Sequence, residues 1–362
     1  MFDIALAIFL LLSPIILSPN IENITALQFY QFGVIDSTNS MLQLQFFQFG
    51  IIALYLISLF QKKIREFNDK WAVVFIAGCL ISVLLHPISV KIFPNIFLGF
   101  LLYKLIFEYV LRIRLLLFSI IIVSVLNFIF GILQLFGVFF IYHDNGSITG
   151  LMKSCSHLGT YQALAVPICY IFNPWLAIIP IIGLLLTKTW TAIFSVVLLI
   201  IYKFRIKILE ILTGSVWLML LISCIALFIV KYYRAILNEF YPRLWIWFET
   251  LKSLTFTGHG LGNFKIASPE KFFSSVYIGE RFDNPYNVYL GIIYALGIFS
   301  IPIFIWLYEI MKIKNSKISP SCLILMVIAL GQSFMDFPRL AGTVITLFSL
   351  LKIGDNYGTD RA

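Results

Sequence analysis

The side chains best suited to chemistry fall in three short runs of the C-terminal half. In Arg243-Leu-Trp-Ile-Trp247 the i, i+4 spacing sets a guanidinium and an indole on one face of a helix. A guanidinium held there can fork onto a phosphate, and the same pair also serves as an anchor at lipid-headgroup depth. Arg234 and Arg281, on either side, are candidates to complete an anion clamp. The second run is Gly258-His259-Gly260-Leu261-Gly262-Asn263-Phe264. It looks superficially like a dinucleotide-binding glycine fingerprint, but no strand precedes it and no Rossmann unit follows. Alternate glycines instead predict a tight turn with positive φ or a close backbone approach to a ligand, and exposed amides in such turns bind anions. His259 is either a candidate base or a histidine held structurally in the turn. The third run, Asp283-Asn284-Pro285-Tyr286-Asn287-Val288-Tyr289-Leu290, puts polar side chains where the chain returns to an apolar stretch. It reads as the mouth of a site or as a Pro-initiated helix capped by Asn284 or Asp283.

Other chemistries lack their residues. The four histidines, His86, His143, His157 and His259, do not have the spacing of a metal site, and no acidic pair marks a metal-dependent glycosyltransferase, so a metal-free site is expected. There is no P-loop, which argues against an ATP-driven pump. Of the five cysteines, Cys79, Cys169, Cys224 and Cys322 lie within apolar blocks, and no disulfide framework or Cys-x-x-Cys pattern occurs. Lys104 and Glu108, four apart in an apolar block, predict an intrahelical pair that spares the bilayer two lone charges.

The elements that must carry these residues follow from composition. Of 362 residues, 60% are hydrophobic and 12% charged, more apolar surface than a water-soluble interior hides. The apolar residues come in blocks near the length of helix that crosses a bilayer, and the short alternating segments of a transmembrane barrel are absent. The expected fold is an all-α polytopic bundle of about twelve spans, near 4–18, 41–61, 71–86, 96–111, 115–141, 157–172, 174–187, 190–202, 209–230, 286–308, 320–335 and 340–353. The first stretch lacks a basic leader and a small-x-small cleavage site, so it reads as a retained helix. The break at Thr187-Lys188-Thr189 is a loop or a re-entrant turn.

Basic residues gather at Lys62–Lys70, Arg112–Arg114, Lys203–Lys207 and Lys312–Lys317; the positive-inside rule puts all four groups in the cytoplasm. They explain most of the net charge of +9 without nucleic acid. Three parts follow: an N-terminal bundle over 1–230, an extracytoplasmic loop over 231–285, and C-terminal spans over 286–362. Within the loop, Ile236, Phe240, Leu244, Trp247 and Leu251 recur every three or four residues from Tyr232 to Leu254, which predicts an amphipathic helix on the membrane surface.

Taken in order, the Arg243–Trp247 run, the Gly258–Phe264 run and Asn284–Leu290 followed by Ala295-Leu-Gly-Ile298 resemble the O-antigen ligase and polymerase family. Weaker echoes are Gly131-Ile-Leu-Gln134, Leu158-Gly-Thr-Tyr161 and Thr187-Lys-Thr-Trp190. The resemblance implies a bacterial inner-membrane glycosyltransferase, active outside the cytoplasm and needing no cofactor, nucleotide sugar or metal. Its donor would be an undecaprenyl-pyrophosphate-linked oligosaccharide, and a flippase and a chain-length regulator of the same pathway would be partners. It implies Arg243 as the pyrophosphate contact, supported by Arg234, Arg281 and Lys188, with Trp247, Asn263 and Asn287 on the glycan. The family often has His where this chain has Tyr286, so the base is His259 or Asp283, or little base is needed and Tyr286 positions a sugar. The missing His tilts the expectation from ligase to polymerase. A transporter of the same lipid-linked glycan is the rival from another class.

Overall fold

The computed structural model describes residues 1–15, 36–136, 147–152, 154–212, 243–264, 285–313, 318–330 and 338–357, and among them every regular element is helical. The helices are α1 (Phe2–Ile15), α2 (Asp36–Ser58), α3 (Lys70–Leu85), α4 (Phe93–Tyr109), α5 (Ile113–Leu135), α6 (Cys155–Phe172), α7 (Ile178–Thr187) and α8 (Trp190–Leu212). They continue with α9 (243–252), α10 (Val288–Leu296), α11 (Ile301–Lys312), α12 (Ser319–Ile328) and α13 (Pro338–Tyr357). Short 3₁₀ turns at Pro87–Lys91, Pro174–Ala177 and Gly297–Ser300 join neighbours.

Among the described residues three stretches are long and apolar enough to cross a membrane: Ser89–Tyr109, Ile113–Leu135 and Val288–Lys312. Seven more apolar helical stretches have 10–17 residues, roughly 15–26 Å at ~1.5 Å per residue; three of them belong to the longer helices α2, α8 and α13, which run to 23, 23 and 20 residues. Length and composition of the described residues thus support three spans and leave the expected count of about twelve unsupported. Apolar sequence outruns helix: the block at 174–187 begins with a 3₁₀ turn behind Pro174, and α12 ends at Ile328. Large apolar side chains face outward, Leu84 at 81% and Phe194 at 59% exposure among them. Such a surface is compatible with lipid as the surrounding medium.

A second correction concerns Lys203, Arg205 and Lys207, expected in a loop between two spans. They lie inside α8, which runs unbroken to Leu212. The segment Tyr202 to Leu212 has neither Gly nor Pro, and Lys and Arg are good helix formers. Beyond Leu212 the expected ninth span lies outside the described residues.

At the centre stands α6, buried at every position from Leu158 to Cys169. A helix apolar on all sides belongs in the middle, and its polar residues are matched. Gln162 accepts from Ser124 Oγ at 2.5 Å and donates to the Ser124 carbonyl at 3.1 Å on α5. One and three turns along α5, Asn127 and Gln134 hold the segment 149–151: Asn127 Oδ1 accepts from the Leu151 amide, and Gln134 Oε1 from the amides of Thr149 and Gly150.

The opposite flank is tied by Asp69. As the N-cap of α3 its Oδ1 accepts from the Ala72 amide. Oδ2 accepts from Tyr103 Oη at 2.6 Å on α4 and Trp306 Nε1 at 2.8 Å on α11, with Lys352 Nζ of α13 at 3.8 Å. Lys352 also binds Glu309 at 3.2 Å, and Glu309 accepts from Trp71 Nε1. Nearby, Glu108 keeps Lys104 at 4.0 Å, but its shorter partner is Lys63 at 3.1 Å, and its carbonyl accepts the Ile64 and Arg65 amides. The Glu108 hydrogen bond and charge raise the Lys63 pKa above its usual value. The expected pair is thus a clasp between the 59–69 turn and the end of α4.

Replacing Asp69 by Ala leaves two buried aromatic donors without their acceptor and the half-buried Lys352 ammonium with Glu309 alone. Removing one partner of a buried pair costs about 3–5 kcal/mol, and thermal unfolding in detergent should show a large fall in Tm for Asp69→Ala. Lys63→Ala removes an ammonium on a side chain that is 55% exposed and leaves Lys104 beside Glu108, so its fall in Tm should be small.

Candidate active site at a broken helix

The stretch Val288–Lys312 is interrupted at Gly297, which takes φ +55° and closes α10 before a 3₁₀ turn leads into α11. Breaking a helix releases backbone groups that an apolar interior does not satisfy. Here the glycine run satisfies them. The amides of His259 and Gly260 donate to the carbonyls of Tyr294 and Ala295, both at 2.9 Å, and Ile298 N donates to the Phe256 carbonyl at 2.9 Å. Gly258, Gly260 and Gly262 have φ of +76°, +93° and +72°, the positive values expected from their alternation.

What approaches them closely is protein. A Cβ on Gly258 would strike the Ala295 carbonyl oxygen, and one on Gly297 would strike that of Phe256. On Gly260 it would lie 2.7 Å from His86 Cβ and 2.8 Å from Ser89 Oγ, and on Gly262 it would meet Ile92. The Leu261 amide also donates to Ser89 Oγ at 2.8 Å. The amides that sequence suggested for an anion are therefore spent on α10 and on the turn after α3.

At the other end of α10 two of the chemistry-bearing runs meet. Arg243 opens α9 with its guanidinium carbon 5.8 Å from the centre of the Tyr286 ring, within cation–π range. Trp247, one turn on, donates its indole N–H to the Pro285 carbonyl at 2.9 Å. Tyr286 has φ +52°, a left-handed conformation that costs a bulky residue roughly 1–2 kcal/mol, and the residue is 38% exposed. The helix starts later than expected: its N-cap is Asn287, whose side chain accepts from the Leu290 amide at 3.1 Å. Asn287 is buried, so its Oδ1 is committed to the cap. Val288 N donates to the Ala329 carbonyl, which fixes this turn to the end of α12.

The face of α9 turned toward the protein carries Ile246 and Thr250, with Ile246 packed beside Phe264 and Tyr294. Leu244, Phe248 and Leu251 are exposed, so Leu244 and Leu251 of the expected apolar stripe form an outer face. The part of the expected helix before 243 lies outside the described residues.

His259 is stacked on Tyr294, with ring centres 4.3 Å apart, and its Nε2 lies 2.7 Å from the Ser253 carbonyl, an acceptor to which it must donate. The side chain of Asn263 donates through Nδ2 to the His259 carbonyl at 2.7 Å. Six residues of α10, roughly 9 Å along the axis, separate Tyr294 from Val288, which follows Tyr286 by two positions. His259 and Asn263 therefore sit at one end of α10, and Arg243, Trp247, Tyr286 and Asn287 at the other. Asp283, Arg234 and Arg281 lie outside the described residues.

Lys188 belongs to a second cluster. It caps α7 in a left-handed conformation, φ +53°, and is exposed between two buried threonines. Thr189 Oγ1 donates to the Cys155 carbonyl, and a Cβ on Gly159 would strike both Thr187 and Thr189. A Cβ on Gly131 would meet Ile148, whose amide donates to the Leu186 carbonyl. The three weaker echoes, around Gln134, Gly159 and Lys188, are thus neighbours in space.

Sequence inspection missed Ser89 and His86, which receive the glycine loop, and Tyr294, on which His259 lies; none has a local pattern that marks it. Among the described residues no three His, Cys, Asp or Glu side chains gather into a metal-binding set. No family model and no curated protein matches this chain.

The crossing at Gly258 and Gly297 yields a direct test. Gly297→Ala and Gly258→Ala each force a methyl into a backbone carbonyl at a positive φ and should abolish the monodisperse folded peak in detergent size-exclusion chromatography. Gly291→Ala, whose Cβ would lie at an ordinary 3.6 Å from the Pro285 ring, should leave that peak intact.

Proposed function

We propose that this protein is a bacterial inner-membrane glycosyltransferase that polymerises undecaprenyl-pyrophosphate-linked repeat units on the extracytoplasmic face. The observation that carries this reading is the meeting of Arg243, Trp247 and the strained Tyr286 at the start of α10. A non-glycine residue held at positive φ by its neighbours is the kind of local strain that gathers at functional sites. A guanidinium beside an exposed phenol suits a pyrophosphate leaving group next to a sugar: Arg243 would stabilise the charge that develops as the anomeric C–O bond breaks. Tyr286 and Trp247 would present ring faces and edges to the glycan.

In this scheme an acceptor sugar hydroxyl forms the new bond to the anomeric carbon, the pyrophosphate departs with the bonding electron pair, and the hydroxyl proton passes to a base. His259 lies toward the far end of α10 with Nε2 already donating, which leaves Asp283, or a dissociative step with little base assistance, as the more economical source of that function. The rival transporter reading would draw on Lys104 and Glu108 as cavity-lining charges. Glu108 instead holds the 59–69 turn through Lys63 and its own carbonyl.

The test uses purified protein in lipid with the host's undecaprenyl-pyrophosphate oligosaccharide, products being resolved as a ladder on a gel. Wild type should give a ladder, and Arg243→Ala should slow it by about 10²-fold or more, as loss of one donor to a developing oxyanion does. Tyr286→Phe should stay within about tenfold, since proton transfer assistance is worth ~10²–10⁴. A wild-type protein that transfers only to an added acceptor would be a ligase; one that forms no glycosidic bond with any acceptor would overturn the enzyme reading.

A further inference from the structure

A polar cavity of about 190 Å³ opens beside the Asp69 network, lined by Asn68, Asp69, Lys70, Phe107, Glu309 and Lys352. Its charges are graded. Inside, two carboxylates face one ammonium: Lys352 Nζ lies 3.2 Å from Glu309 and 3.8 Å from Asp69. Asp69 accepts three hydrogen bonds and has Lys352 at 3.8 Å, whereas Glu309, which accepts one bond on each oxygen from Trp71 and Lys352, is 36% exposed on its side chain and keeps accepting capacity toward the cavity. At the rim stands the exposed Lys70, its ammonium 5.5 Å from the Trp71 ring centre. The interior thus carries a net negative charge and the rim a positive one.

That gradient selects among ligands. A lone anion would meet Glu309, and a lone cation would have to pass Lys70. A group with a phosphate outside and a hydrogen-bonding ammonium two carbons further in satisfies both. The volume, roughly six waters at ~30 Å³ each, takes an ammonioethyl arm and part of its phosphate. The cavity lies at the end of the bundle where Lys62, Lys63, Arg65 and Lys312 gather and where Trp71 sits half-buried, the residue types that mark a membrane boundary.

We infer that this cavity binds the headgroup of a phospholipid with a primary ammonium, the phosphate at Lys70 and the ammonium at Glu309. The site does not depend on the glycosyltransferase reading. The ammonium of such a lipid donates to the carboxylate, whereas a trimethylated one lacks the N–H and a glycerol headgroup lacks the charge.

The full-length protein in micelles containing equal phosphatidylethanolamine, phosphatidylglycerol and phosphatidylcholine is examined by native mass spectrometry. Wild type should retain phosphatidylethanolamine about tenfold over the other two, the value of one charge-assisted hydrogen bond. Glu309→Gln and the exposed Lys70→Ala should each erase that preference, while Lys63→Ala, on the same end but outside the cavity, should keep it. Lys70→Ala guards against misfolding as the cause, because Lys70 is not a donor to Asp69. Equal retention of the three lipids by wild type, or an undiminished preference in both cavity variants, would overturn the site. Saturable stabilisation by soluble phosphoethanolamine with no lipid preference would overturn the lipid assignment.

Discussion

A helix broken within an apolar bundle cannot leave its carbonyls and amides bare, and the architecture around the candidate site follows from how this chain meets that constraint. The interruption at Gly297 is sealed by a loop that runs past it at backbone-to-backbone distance, with Gly258 and Gly297 facing each other where neither has room for a side chain. Three hydrogen bonds at 2.9 Å replace the ones that a continuous helix would have made. Once the loop is fixed there, α9 must lie alongside α10, and Arg243 and Trp247 come to the turn at Pro285–Tyr286.

The same docking divides the chemistry-bearing residues into two groups. One end of α10 has a guanidinium, an indole and a phenol around a strained backbone. The other has His259 flat on Tyr294, Phe264 edge-on to the same ring, and a glycine loop bonded into the surrounding backbone. Rigidity at the second end is what lets the first be precise: the strained φ of Tyr286 persists because Trp247, Asn287 and the Ala329 carbonyl hold the residues around it.

Local signals were readable in the sequence, long-range ones were not. Helix positions follow apolar runs and their breakers closely: 71–86 was expected and Lys70–Leu85 is found, 157–172 and Cys155–Phe172, and the break at Thr187–Thr189 falls between Ile178–Thr187 and Trp190–Leu212. The positive φ of the alternate glycines was legible because only glycine is at ease there. What those glycines pack against was not, since Ala295, His86 and Ile92 carry no mark of it. The number of spans was not legible because hydropathy counts apolar residues whether or not they are helical, and the basic group in α8 was placed in a loop because charge alone does not end a helix. Asp69 had one readable trait, an N-cap position ahead of an apolar run; its bonds to Tyr103 and Trp306 required the fold.

Those bonds also impose an order on assembly. Tyr103 follows Asp69 by 34 residues and can reach it as soon as α3 and α4 form a hairpin, whereas Trp306 comes 237 residues later and Lys352 later still. At ~5–20 residues per second of synthesis, the interval before Trp306 emerges is on the order of 10–50 s. Through that time the newborn hairpin keeps a carboxylate with a single aromatic hydroxyl as its distant partner, so the N-terminal helices stay provisional until nearly the whole chain exists. A ribosome that stops before α11 leaves behind a bundle whose own acid group argues against closing.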